Sequence, residues 1–126
     1  MKDSIFDALR KAEDCLESAE YNLAGGFLNA AVNRAYYGVY DALTALLISK
    51  SLNAKSHSGA HNQFAEHFIK TREFSKEGGS IVKYCFDIRH QSDYDLQSNI
   101  DDDEAKKCVE NCREFINMTK DYLEIQ

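Results

Sequence analysis

The chain contains no proline in any of its 126 residues, and this absence limits the folds that it can adopt. Proline commonly marks turns, sheet edges and helix starts, so its complete absence argues against β-sandwiches and barrels, which need many turns. The length and the 44% hydrophobic content allow one domain with a buried core, but not two ordinary domains. The sequence therefore predicts a single, mostly helical domain over residues 1–126.

Apolar residues recur at helical spacing in five segments, which indicates five amphipathic helices. The segments cover about residues 4–22, 27–50, 60–70, 75–94 and 101–123, with a loop at 95–100. The second segment is apolar over most of its circumference, which places it at the centre of a bundle or in a subunit interface. Short links and the absence of a credible strand predict an all-α, five-helix up-and-down bundle.

The N-terminal residues and the cysteines indicate where in the cell the protein is located. No apolar run approaches the roughly 20 residues that span a membrane, and acidic residues stand where a secretory signal would need basic ones. We therefore expect a cytoplasmic protein that does not contact a membrane. The four cysteines fall on apolar stripes, and in a reducing compartment they are expected to be buried thiols rather than disulfides. They are Cys15, Cys85, Cys108 and Cys112.

The net charge of -6 argues against a general nucleic-acid coat protein, because non-specific affinity for phosphates comes from Lys and Arg. The charge is unevenly distributed along the chain. Residues 31–91 carry eight basic and five acidic residues and all four histidines, whereas both ends are acidic. A phosphate-bearing ligand would therefore meet the middle of the chain, although acidic ends are also typical of ordinary solvated helix faces.

Two polar clusters could carry chemistry. The second helix holds Asn33-Arg34-Ala35-Tyr36-Tyr37 with Tyr40 one turn later, and its tyrosines would either face a cleft or pack at an interface. The fourth helix holds Arg89 four residues before Asp93, which is the spacing of an intrahelical ion pair. The pair is either an exposed salt bridge, or Asp93 orients Arg89 toward a phosphate.

The order of these motifs resembles the small stand-alone HEPN-domain proteins of bacteria and archaea. The resemblance rests on Asn33-Arg34-Ala35-Tyr36-Tyr37, Leu46-Leu47, Lys55-Ser56-His57, Glu66-His67-Phe68, Glu73-Phe74-Ser75-Lys76-Glu77, and Arg89 followed by Asp93-Tyr94-Asp95. It implies a five-helix bundle that forms a homodimer and is frequently partnered by a minimal nucleotidyltransferase encoded beside it. Many such pairs look like toxin and antitoxin, the HEPN member being a metal-independent RNase.

One position departs from the active RNases of that family. Their motif is Arg, four to six residues and then His, whereas positions 94, 95 and 96 here are Tyr, Asp and Leu. A carboxylate with an ordinary pKa near 4 is a poor proton donor at neutral pH, so neighbouring aspartates do not replace the imidazole. The sequence therefore favours a non-catalytic module that binds a partner protein, and a nucleotide or RNA in a cleft. The alternative is an RNase toxin that uses Arg89.

Seven residues are predicted to line this cleft, which needs no metal ion or cofactor. They are Asn33, Arg34, Tyr37, His57, Arg89, Asp93 and Tyr94. His57 and His61 have the spacing of two zinc ligands, but further ligands are lacking, so we predict no metal site. His57 is instead expected to cap the third helix or to line the cleft. His90, which points about 100° away from Arg89 on a helix, is expected at the surface.

Overall fold

The computed structural model describes residues 1–95 and 99–125, and within those ranges it contains five α-helices and no strand. The helices are α1 (Lys2–Ala24), α2 (Leu28–Ser49), α3 (His57–Phe64), α4 (Lys76–Tyr94) and α5 (Asp102–Leu123). A π-helical turn, Ala65–Ile69, continues α3. The predicted all-α bundle is confirmed.

The turn between α1 and α2 follows from two glycines. Gly26 has a φ of 81°, in the left-handed region that glycine adopts without the steric penalty of a side chain. The N–H of Phe27 then donates to the carbonyl of Asn22 at 2.9 Å, which closes the helix end in the Schellman manner. The predicted ends of α1 and α2 agree with the structure to within two residues.

Side-chain caps fix the starts of the three later helices. Ser56 accepts a hydrogen bond from the N–H of Gly59 at 3.0 Å, so Ser56 rather than His57 caps α3. Ser75 accepts from the N–H of Glu77, as the sequence predicts. Asp101 and Glu104 form a reciprocal capping box at the start of α5. Residues 96–98 of the predicted loop lie outside the described residues.

The second helix forms the centre of the bundle, because α1, α3, α4 and α5 all pack against it. The apolar residues around the second helix therefore pack against other helices of the same chain. The closest approach is at Gly38, where a Cβ atom would lie 2.5 Å from Sγ of Cys112 and 3.3 Å from the carbonyl oxygen of Ala12. A residue without a side chain lets α1, α2 and α5 meet at this level.

The cysteines contribute to this core as thiols. Cys85, Cys108 and Cys112 are buried, Cys15 is half-buried, and all four are free. Burial raises the pKa of the Cys112 thiol far above its ordinary value, so this side chain remains protonated. In the part of the chain that the structure describes, no helix combines the length and the apolar character that crossing a membrane requires.

Candidate functional site

The hydroxyl of Tyr36 joins two histidines from a different helix. The ring of Tyr36 is completely buried, and its oxygen lies 2.8 Å from Nδ1 of His57 and 3.2 Å from Nε2 of His61. The two histidines are one turn apart on α3, so they share the helix face that meets α2. Because a phenol has one proton, Tyr36 donates to one imidazole and accepts an N–H from the other.

Arg89 of α4 lies beside this group and is surrounded by aromatic rings. Its Cζ atom lies 4.8 Å from the ring centroid of Tyr36, 5.8 Å from that of Tyr37 and 5.9 Å from that of Tyr94. Its Nη1 donates to the hydroxyl of Tyr37 at 3.4 Å. Only 11% of the Arg89 side chain is exposed, so these contacts act on a largely desolvated cation. We call Tyr36, Tyr37, His57, His61, Arg89, Asp93 and Tyr94 the Arg89 cluster.

Asp93 is close to Arg89 without forming a hydrogen bond. Its Oδ2 lies 3.4 Å from Nε of Arg89, which is within ion-pair distance. That Nε is nevertheless buried and has no hydrogen-bond partner among the described residues, because the contact is poorly aligned. Asp93 therefore attracts Arg89 by charge while leaving one donor unsatisfied, which is an uncommon state for a buried polar atom.

The two imidazoles, which we call the histidine pair, lie in a desolvated and positively charged environment. Burial, followed by the Arg89 guanidinium, lowers the pKa of His57. Burial, the neighbouring His57 and Arg89 lower the pKa of His61. The same burial raises the pKa of Tyr36 far above its ordinary value. Both imidazoles and the phenol are therefore uncharged at neutral pH.

Tyr37 connects the cluster to a second polar group, which is formed by residues of α2 and by Cys15 of α1. The Cζ of Arg34 lies 5.3 Å from the Tyr37 ring centroid, and both Nε and Nη2 of Arg34 donate to Oδ1 of Asn33. Next to them, Sγ of Cys15 lies 3.7 Å from Oδ2 of Asp41. Burial raises the pKa of the Asp41 carboxyl. The seven residues predicted for the cleft thus form one continuous set of contacts.

Tyr36 and His61 belong to the Arg89 cluster and Tyr40 contacts it, but none of the three is among the seven residues predicted for the cleft. The sequence places both tyrosines in the polar cluster of α2 and pairs His61 with His57 only as possible zinc ligands. The ring of Tyr36 is part of the core, but its hydroxyl has two partners on α3 that the helical pattern does not reveal. His57 also stacks on Tyr40, with ring centroids 4.1 Å apart and planes at 12°. The only available signal was the spacing of His57 and His61, which predicts a shared face but not what that face meets.

The outer surface of α4 continues the cluster toward solvent. Tyr94 is 66% exposed, and His90 is exposed with its ring centroid 4.8 Å from that of Tyr94. The surface position predicted for His90 is confirmed. A shallow cavity of about 330 Å³ is lined here by Asp87, His90, Gln91, Tyr94 and Asp95. A larger one of about 590 Å³ lies where α1 begins and α5 ends, away from the cluster, so cavity size does not identify this site.

The Arg89 cluster contains side chains of the kinds that bind phosphate oxygens. Within residues 1–95 and 99–125, no three His, Cys, Asp or Glu side chains converge into a group that could hold a metal. A guanidinium presents a planar fork of donors that matches phosphate oxygens, and neutral imidazoles beside it can accept or pass on protons. The Arg89 cluster can therefore hold an anion and move a proton next to it.

Comparison with known proteins identifies the family of this chain. The sequence matches the HEPN domain over residues 6–122. It is 36% identical over 122 residues to a Methanocaldococcus jannaschii protein named "Putative toxin MJ0142", covering 97% of this chain and 83% of that protein. It is 30% identical over 115 residues to a Thermotoga maritima UPF0332 protein, covering 91% of this chain and 87% of that protein. The chain belongs to the HEPN domain family.

Proposed function

We propose that this protein is the HEPN member of a two-protein system in the cytoplasm. In this proposal it is a non-catalytic homodimer that binds a partner protein, a minimal nucleotidyltransferase, and takes a nucleotide or an RNA at the Arg89 cluster. The observation that carries the ligand part is the guanidinium of Arg89 among three aromatic rings. Guanidinium groups bind phosphate oxygens by charge-assisted hydrogen bonds, and the exposed ring of Tyr94 offers a face on which a base can stack.

The contacts of Arg89 support its availability to a ligand. Nε is buried and has no hydrogen-bond partner among the described residues, and its contact with Asp93 is poorly aligned, so a phosphate that binds Nε takes the place of the Asp93 carboxylate. Asp93 is 31% exposed and Tyr94 is 66% exposed, so a ligand can approach from their side. Arg89 lies within the basic part of the chain, residues 31–91, which favours an anion there.

The homodimer is supported by exposed aromatic residues at one end of the bundle. Asn29 of α2 accepts a hydrogen bond from Ser92 of α4 at 2.9 Å, which joins the start of α2 to the end of α4. Phe27, close to Asn29 along the chain, is 65% exposed, and Tyr94 follows Ser92. Exposed large apolar side chains are enriched at protein interfaces. Light scattering at micromolar concentration should return twice the protomer mass of 14.3 kDa, and a monomer would contradict the proposal.

The nucleotidyltransferase partner is supported by the HEPN family membership and by the relatives whose names include the word toxin. Toxins of paired systems are neutralised by a second protein. The test is co-expression with any nucleotidyltransferase encoded beside this chain, followed by size-exclusion chromatography of the pair. We expect one stable complex, and separate elution of the two proteins would refute this part of the proposal.

Ligand binding is tested with a short fluorescent single-stranded RNA and with nucleotides, by anisotropy at low and at near-physiological salt. Arg89→Ala should weaken binding roughly tenfold or more, because one charge-assisted contact contributes about 1.5–3 kcal/mol. Lys83→Ala is the matched control, since Lys83 is an exposed cation on the same helix, paired with Asp87. Equal affinities for wild type and Arg89→Ala would refute binding at this cluster.

A metal-independent RNase toxin is the second candidate. It is favoured by one observation, namely that α3 brings near Arg89 not only His57, which the sequence predicts for the cleft, but also a second neutral imidazole, that of His61. Expression without the partner separates the two candidates. A binding module leaves host growth unaffected, whereas a toxin arrests growth and Arg89→Ala relieves the arrest.

A further inference from the structure

A groove with apolar walls lies at the end of the bundle where α1 begins and α5 ends. It has a volume of about 590 Å³ and is lined by the apolar side chains of Met1, Ile5, Phe6, Leu123 and Ile125, together with two charged side chains. We infer that this surface, which we call the α1–α5 groove, binds a second copy of the same chain about a two-fold axis. The inference goes beyond the proposed function, which places the homodimer contact at the opposite end of the bundle.

The contacts at the two ends of α2 locate the groove relative to that homodimer contact. The hydroxyl of Ser51, just beyond the end of α2, lies 3.8 Å from Sδ of Met1, so α1 begins beside the end of α2. The hydrogen bond between Asn29 and Ser92 instead lies at the start of α2. Because α2 has 22 residues, about 30 Å of helix separates the two ends. A copy bound at the groove therefore does not cover the Arg89 cluster.

The groove lies over a small apolar cluster at this end of the bundle. Ala8, Leu9 and Ala45 are buried in that cluster, and half-buried residues of the groove pack against them. Phe6 is 39% exposed and Met1 is 67% exposed. Covering such neighbouring apolar side chains removes apolar surface from water, so patches of this kind are typical of protein interfaces.

Two of the wall residues form a ridge between the groove and a neighbouring cavity. Phe6 and Ile125 line both the groove and that cavity, whose volume is about 220 Å³. Ile125 turns back toward α1 because Glu124 has a φ of 57°, and the N–H of Ile125 donates to the carbonyl of Lys120 at 2.8 Å. A ridge beside a groove is a self-complementary shape, because the ridge of each copy can fill the groove of the other.

The charges at this surface differ from those of the whole chain, whose net charge is -6. Of the charged residues that line the groove and the neighbouring cavity, three are basic and two are acidic, namely Lys2, Arg10, Lys120, Glu13 and Glu124. Two copies of an acidic chain repel each other at most surfaces. Here both signs of charge are present, so a second copy can approach.

Lys2 and Glu124 provide the charge complementarity of the contact. Both are exposed, and neither forms an ion pair within residues 1–95 and 99–125. In a two-fold contact every residue pair occurs twice, so Lys2 of each copy faces Glu124 of the other while Phe6 enters the opposite groove. A nucleic acid or an anionic membrane presents one sign of charge, whereas a second copy presents the apolar ridge and both charges.

This contact should be weaker than the contact of the proposed homodimer. It involves only the ends of two helices in each copy, and interfaces that bury less than about 1,200 Å² in total are typical of weak association. We therefore expect homodimers at micromolar concentration, and their association through the groove at much higher concentration. Joining homodimers at their free ends gives tetramers and longer assemblies.

Charge reversal tests the pairing without disturbing the core, because Lys2 and Glu124 are both exposed. Lys2→Glu and Glu124→Lys should each weaken the association at least about tenfold, since each replaces two attractive pairs by two repulsive ones. Both reversals in one chain restore opposite charges across the axis, and so does an equal mixture of the two single variants. Lys106→Glu and Glu17→Lys are the matched controls, because both residues are exposed outside the groove and change the net charge equally.

The experiment measures mass by sedimentation equilibrium from micromolar to millimolar concentration, and circular dichroism checks that each variant is folded. The wild type should exceed twice the protomer mass of 14.3 kDa at high concentration. The two single reversals should not exceed it, whereas the double reversal, the mixture and both controls should associate as the wild type does. Phe6→Ala, which removes the ridge, should also stop at twice the protomer mass.

The outcomes separate this inference from the proposed homodimer. A wild type that stays at twice the protomer mass, or single reversals that associate as well as the controls, would overturn the inference and leave the homodimer intact. If the single reversals are monomers while the wild type is a dimer, then the groove itself holds the homodimer. That result supports the inference and refutes the contact at Phe27 and Tyr94. A wild type that is a monomer at every concentration refutes both.

Discussion

Tyr36→Phe is the substitution that tests the physical account of the site most directly. Phenylalanine keeps the buried ring and its contact with the Arg89 guanidinium, so only the hydroxyl and its two hydrogen bonds are lost. An intramolecular hydrogen bond contributes about 0.5–1.5 kcal/mol. The imidazoles are only half-buried and recover part of this loss by binding water. We therefore expect the free energy of unfolding to fall by ~1–2 kcal/mol.

The measurement is urea unfolding at neutral pH, supported by thermal melting, where this loss corresponds to a Tm lower by roughly 4–8 °C. Tyr21→Phe is the control, because Tyr21 is 80% exposed and its hydroxyl lies at the surface. It should leave the unfolding free energy within about 0.5 kcal/mol of wild type. The reasoning is refuted if Tyr36→Phe is as stable as Tyr21→Phe, since the hydroxyl would then contribute nothing.

A double-mutant cycle assigns the loss to its partner. Combining Tyr36→Phe with His57→Ala should destabilise the protein by less than the sum of the single changes, because both remove the same hydrogen bond. The coupling free energy should be about 0.5–1.5 kcal/mol. Additive losses would mean that the 2.8 Å contact between Tyr36 and His57 is not the source of the stabilisation.

Three further predictions concern packing, charge and pH. Gly38→Ala should lower the unfolding free energy by ~1–2 kcal/mol, because the new methyl group meets Sγ of Cys112. This loss should outweigh the better helix propensity of alanine. A more stable variant would contradict the close contact. Asp93→Ala should lower the free energy of unfolding by ~1 kcal/mol or more, as measured by thermal melting. Asp87→Ala, which removes an exposed ion pair at the same spacing, should lower it by only about a few tenths of a kcal/mol. Equal shifts would mean that Asp93 is an ordinary surface charge. The histidine pair has lowered pKa values, so its contribution to stability is present above the unfolded pKa of about 6.5 and is lost as the pH falls through the folded values. Replacing both imidazoles by amides should flatten the stability curve between pH 7 and about pH 5, and an unchanged slope would refute this linkage.

The amino-acid sequence by itself determined the secondary structure of this protein to a useful degree. The helical spacing of apolar residues, the Gly25-Gly26 turn, the Ser75 cap and the acidic start of α5 all describe interactions within one or two helical turns. Such interactions depend on neighbouring residues alone, so they can be read before the fold is known. The motif order also sufficed to identify a resemblance to the HEPN family, to which the chain belongs.

The tertiary structure decided which side chains meet at the site. The sequence placed Arg89 and Asp93 on one helix face and predicted His57 in the same cleft, but it did not predict that His61 and the hydroxyl of Tyr36 join His57 there. The imidazoles beside Arg89 come from α3, and they are held there by the hydroxyl of Tyr36 of α2. The pattern of apolar residues along α2 does not show that this hydroxyl forms hydrogen bonds. These contacts depend on the packing of three helices, and the periodicity of a single helix contains no information about what another helix presents to it.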